Sequence, residues 1–197
     1  MKKFLSTMVI VGLLLPTISQ AGQIEDQARK NFVFRAGGFG LGWLTGFAAH
    51  ELGHEVTSRI VNTPLHWNWD ERSWTIDEGG HSLRTVAMGG FAAQIISTEI
   101  LLNYDKIPKD DAFVLGWLTF NVVNALSYTL KDVTGLQDGK PNDFQAMRDT
   151  GMDTTWFQVG LVAHSLWTAY RMYNHPDIPV WFSTTGNSFV VGFTWKF

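Results

Sequence analysis

In the stretch Gly46-Phe47-Ala48-Ala49-His50-Glu51-Leu52-Gly53-His54-Glu55, two histidines stand four positions apart and a glutamate follows the first. On a helix, residues i and i+4 lie one above the other. His50 and His54 would then offer both imidazoles to one point, where a zinc ion can take them. Glu51 lies about 100° round the helix from the first ligand, where it can hold and deprotonate a water. Ala48, Ala49, Leu52 and Val56 give the stretch an apolar flank, as expected of a buried active-site helix. The bland reading, a core helix whose histidines bond to backbone carbonyls, has to find three separate polar partners for these side chains.

Working outward, residues 36–49 carry no charge and include Gly37, Gly38, Gly40, Gly42 and Gly46. Glycine is costly in an isolated helix but lets helices approach closely, above all in a membrane. The motif helix is predicted over residues 39–61, stopped by Asn62-Thr63-Pro64. A short lead-in helix with Arg29, Lys30 and Arg35 precedes it. Residues 65–76 alternate around Asp70-Glu71-Arg72 and read as a β-hairpin. Its edge could hold an extended peptide, or it could be an aromatic flap over the core.

Further hydrophobic helices are expected over residues 86–104, 112–130 and 154–173. The second of these has nineteen residues without a charge, long enough to span a bilayer. A short helix should begin near Asn142. Residues 180–195 flank Thr184-Thr185-Gly186-Asn187 as a second hairpin. Its ending on Phe197 resembles the closing strand of outer-membrane barrels, but one hairpin after several helices cannot close a barrel. The fold class is thus mainly α: a bundle of about four hydrophobic helices with the motif on the first, a short hairpin after it, and a C-terminal hairpin.

The chain has 197 residues, a net charge of −3, and 45 % hydrophobic residues with 9 Trp and 14 Phe. The mild, scattered charge gives no footprint for nucleic acid. No Cys is present, so neither disulfides nor a lipidated cysteine can anchor or brace the fold. Residues 1–21 have a basic start, an apolar middle and a Ser19-Gln20-Ala21 end, the pattern of a secretory signal. Residues 22–197 would form one helical domain, exported to the cell envelope and associated with a membrane.

A catalytic zinc usually takes three protein ligands and keeps one position for water. The metzincin extension needs Gly at position 57 and His at 60, where this chain has Thr57 and Ile60. The candidates for a third ligand are Asp143, Asp149, His164 and Glu99, and Asp143 is preferred because it opens a short helix just after a loop. Its other role there would be to complement the helix dipole. His66, His81 and His175 fall in connecting segments.

His50-Glu51-Leu52-Gly53-His54 on a hydrophobic helix, Gly89-Gly90 opening a second one, and an Asp region after a later one resemble the membrane zinc peptidases related to site-2 protease. In that family the third ligand is an aspartate in an Asn-x-x-Pro-x-x-x-x-Asp-Gly type motif. Here Asn142-Asp143 and Asp149-Thr150-Gly151 occupy that region, without the internal Pro and with Thr150 in the Asp position. The expected function is a zinc-dependent metallopeptidase acting on a peptide or protein substrate. Glu51 is the expected general base, His50, His54 and Asp143 hold Zn2+, and Gly89, Gly90 and Gln94 line the substrate side. Two alternatives are a non-catalytic envelope protein and a zinc hydrolase acting on a lipid or a non-peptide amide.

Overall fold

The helix that carries His50 and His54 is longer than its sequence suggests. In the computed structural model, α1 runs unbroken over Gly22–Ile60, so the expected lead-in helix and motif helix are one rod of about 58 Å. The glycine run does not interrupt it: Gly38, Gly42 and Gly46 are taken up by packing against α3, while Gly37 and Gly40 face open space. A Cβ on Gly42 would collide with the backbone of Phe113, and one on Gly116 with the backbone of Phe39. Asn62, in the left-handed region at φ 52°, ends the rod. Thr63 N–H then donates to Ser58 O at 2.8 Å, the closing bond of a Schellman-type cap.

The structure describes residues 22–68, 73–75, 81–136, 142–178, 180–185 and 188–193. The expected signal segment, residues 1–21, lies outside them. Four further helices follow: α2 (His81–Asn103), α3 (Ala112–Val133), α4 (Asp143–Asp149) and α5 (Thr155–Asn174). The fold is mainly helical, as the sequence predicts. Two short antiparallel ladders are also present. β1 (His66–Asn68) pairs with β2 (Ser73–Thr75), and β3 (Val180–Thr185) with β4 (Ser188–Phe193). The residues that would join them into the two expected hairpins, 69–72 and 186–187, lie outside the described set.

Helix starts follow local chemistry. Asp111 caps α3 by accepting from Phe113 N–H at 2.8 Å. Asn142 caps α4 by accepting from Gln145 N–H at 2.9 Å. Ahead of α5, Asp153 accepts from Thr155 N–H at 2.9 Å, and that bond holds its carboxyl below the usual carboxylate range.

The rod packs against α2 and α3, and α3 against α5. One apolar cluster joins Leu101, Leu102, Leu115, Leu118 and Met172. A second joins Phe91, Phe144, Met147 and Leu161 and clamps α4 onto α2. Phe91 and Phe144 stack at 5.4 Å with an interplanar angle of 10°. Both α2 and α3 are long and apolar enough to cross a membrane.

Candidate metal centre

His50 and His54 project from one face of α1 toward α2, and both are buried. Their outer nitrogens are spoken for. His54 Nδ1 lies 2.8 Å from Val86 O; a carbonyl only accepts, so Nδ1 carries the proton. His50 Nδ1 lies 3.1 Å from Gln94 Oε1. That amide oxygen also faces Asn124 Nδ2 at 3.4 Å, which fixes it as an acceptor and His50 Nδ1 as a donor. Each neutral ring therefore presents a lone pair at Nε2.

Those two Nε2 atoms point at each other across 3.1 Å. Asp143 completes a triangle, with Oδ2 at 3.5 Å from His50 Nε2 and Oδ1 at 3.5 Å from His54 Nε2. Three acceptors thus converge with no proton among them. That arrangement is repulsive unless a proton or a cation is shared among the three. Metal bonds of about 2.0–2.1 Å in a tetrahedral site imply donor separations of about 3.3 Å, and an octahedral face of the same bonds would need about 3.0 Å. The observed spacings fit the tetrahedral arrangement better. These three are the one group of His, Asp or Glu side chains among the described residues that is placed to hold a metal.

Two elements fix the three side chains. The two histidines ride on the rod one turn apart. Gly90 of α2 lies directly beneath them: a Cβ there would sit 2.5 Å from His54 Nε2 and 2.6 Å from His50 Cε1. Asp143 is set by α4, whose Phe144 and Met147 are fully buried. Its backbone N–H donates to Tyr128 Oη at 3.1 Å. The far end of α4 is clasped by Asp132 of α3, which accepts from Arg148 Nη1 and Nη2, each at 2.8 Å, and from Gln158 Nε2 of α5 at 2.6 Å.

Glu51 is half-buried on the adjoining face of the rod. The remaining ligand candidates lie elsewhere. Glu99 accepts from Arg171 Nη1 at 2.8 and 2.9 Å and faces His164 Nε2 at 3.2 Å. Asp149 accepts from Gln145 Nε2 at 2.6 Å. Gly89, Gly90 and Gln94, expected on the substrate side, lie on α2 facing the rod and the histidines. All three are buried. Gly89 packs on Gly53 and Thr57 of the rod, Gly90 makes room for the imidazoles, and Gln94 orients His50. The orienting role of Gln94 has only one trace in the sequence: an amide within an otherwise apolar helical run.

Comparison with protein-family models, curated proteins and solved structures gave no match.

Proposed function

We propose that the chain is a membrane-associated zinc peptidase of the cell envelope, with His50, His54 and Asp143 as the metal ligands and Glu51 as the general base. One observation carries this reading: two imidazole Nε2 atoms and a carboxylate meet at 3.1–3.5 Å while both Nδ1 atoms are engaged elsewhere. Two neutral histidines with one carboxylate are also a common donor set for catalytic zinc. A zinc ion held there supplies Lewis acidity, bringing a water's pKa toward neutrality and polarising a carbonyl oxygen.

The chain's own residues do the rest. Val86 O and Gln94 Oε1 keep both rings in the one tautomer that leaves Nε2 free to bind. Glu51 takes a proton from the attacking water as its oxygen bonds to the scissile carbonyl carbon. It then gives that proton to the departing amine as the C–N bond breaks.

The membrane part of the reading rests on surface as well as hydropathy. The outward face of α1 carries Val33, Phe34, Leu41, Leu44, Phe47, Leu52 and Val56, all exposed. From 33 to 47 this face is uncharged over about 21 Å, most of a bilayer's hydrocarbon core, and beyond it Glu51 and the Glu55–Arg59 ion pair share the same side. Lys30 and Arg59 lie exposed just beyond its two ends. A lipid neighbour accounts for such a face better than water does.

Glu51→Gln is the direct test. It should keep stoichiometric zinc and lower peptide cleavage by about 10²–10⁴-fold, the usual contribution of a general base. Cleavage at the wild-type rate would remove Glu51 from the chemistry, and purified wild-type protein without zinc affinity would remove the metal.

A further inference from the structure

Behind His50, on the side away from Asp143, lies a seam of polar side chains that peptide hydrolysis does not use. Gln94, Asn121 and Thr168 come from α2, α3 and α5, and all are at least 95 % buried. In each, one polar atom has no hydrogen-bond partner: Gln94 Nε2, Asn121 Oδ1 and Thr168 Oγ1. The other ends of the two amides are fully engaged. Gln94 Oε1 serves His50 and Asn124. Asn121 Nδ2 donates to Gln94 O, Ser97 Oγ and Thr98 Oγ1 at 2.8–3.1 Å. Flipping either amide would break these bonds.

The three residues line one cavity of ≈ 10 Å³, together with apolar side chains such as Phe91 and Leu161 and with Thr98, His164 and Ser165. Buried polar atoms are nearly always bonded. A space of about 10–15 Å³ holds one water. We infer that a single ordered water is held at this junction, accepting from Gln94 Nε2, donating to Asn121 Oδ1 and bonding Thr168 Oγ1. The occupant must be a neutral group of about one heavy atom that both donates and accepts. The Gln94 amide hydrogens disfavour a cation, and the three polar atoms disfavour an apolar guest.

The water gives α5 a hand in the metal centre. Holding Nε2 of Gln94 on the water keeps Oε1 on His50 Nδ1, and so keeps the His50 lone pair turned to the metal. This coupling rests on the zinc reading; the water itself does not.

The test is a high-resolution crystal structure of the full chain, metal-free and zinc-loaded, together with zinc affinities of three variants. A density peak within about 2.6–3.2 Å of all three orphan atoms is expected in both crystals. Thr168→Val should weaken zinc binding by up to about 10-fold, the low end of what losing an outer-shell partner does. Thr168→Ser, which keeps the hydroxyl, should restore it. Thr129→Val is the control: its hydroxyl is also buried without a partner but does not line the cavity, so zinc affinity should stay within about twofold. A dry cavity, or Gln94 turned so that Nε2 faces His50, overturns the inference. Unchanged zinc affinity in folded Thr168→Val overturns the coupling. A wild-type protein that keeps the peak but takes up no zinc overturns the metal reading while supporting the water site.

Discussion

At the scale of single residues, the centre is a problem of lone pairs and space. Saturating zinc at about 100 times its dissociation constant should raise the unfolding free energy by about 2.7 kcal/mol. In Asp143→Ala that gain should largely vanish, which chelator-controlled melting would register. Gly90→Ala adds one methyl group 2.5 Å from His54 Nε2. It should abolish zinc uptake while the helices still form. Gly160→Ala is its counterpart: nothing lies within 4 Å of a Cβ there. That variant should bind zinc normally and stabilise α5 by about 0.5–1 kcal/mol. If both glycine variants bind zinc alike, crowding at position 90 is not what shapes the site. The histidine pair was legible in the sequence because four residues is one helical turn, a purely local relation. Gln94 was not, because its partner His50 lies 44 residues away and only folding brings the two together.

At the scale of elements, α4 is the piece on which the centre depends most. It has seven residues, too few to be stable on propensity alone. Its place comes from Phe144 and Met147 inside and from the Asp132–Arg148 clasp at its end. Arg148→Ala removes two charge-assisted bonds to a largely buried carboxylate. A cost of about 1.5–3 kcal/mol is expected for such bonds, toward the lower end because Arg148 is partly exposed. Zinc affinity should fall as well. Denaturant melts and zinc titrations of the same sample would separate the two effects, and a loss of stability with unaltered affinity would mean that Asp143 holds its place without the clasp. The helical character of every long segment could be read from hydrophobic runs and caps. The continuity of α1 could not. The sequence reading divides it near residues 36–38, and only the packing of Gly38, Gly42 and Gly46 against α3 shows why the helix runs on, a case of tertiary packing overriding local preference.

At the scale of the whole molecule, the question is what covers the outer face of α1. A charge at the middle of a spanning helix costs about 2.5–3.5 kcal/mol in insertion. Leu44→Lys, near the centre of that face and 62 % exposed, should therefore reduce the fraction of chain that resists alkaline extraction from vesicles. Arg59→Lys should not. A Leu44→Lys protein that integrates as well as the wild type would place this face outside the lipid. Hydropathy singles out α2 and α3 but passes over α1, because the rod's inner face carries the histidines and a small-residue seam that dilute its average. On the proposed metal reading, the unequal mounting of the three candidate ligands has a kinetic corollary. Two are set in a 39-residue rod wedged between its neighbours, and the third sits on a helix of seven. An ion should therefore enter and leave by the swing of α4, and its rate of escape to a chelator should be set by how often the Asp132–Arg148 clasp lets go.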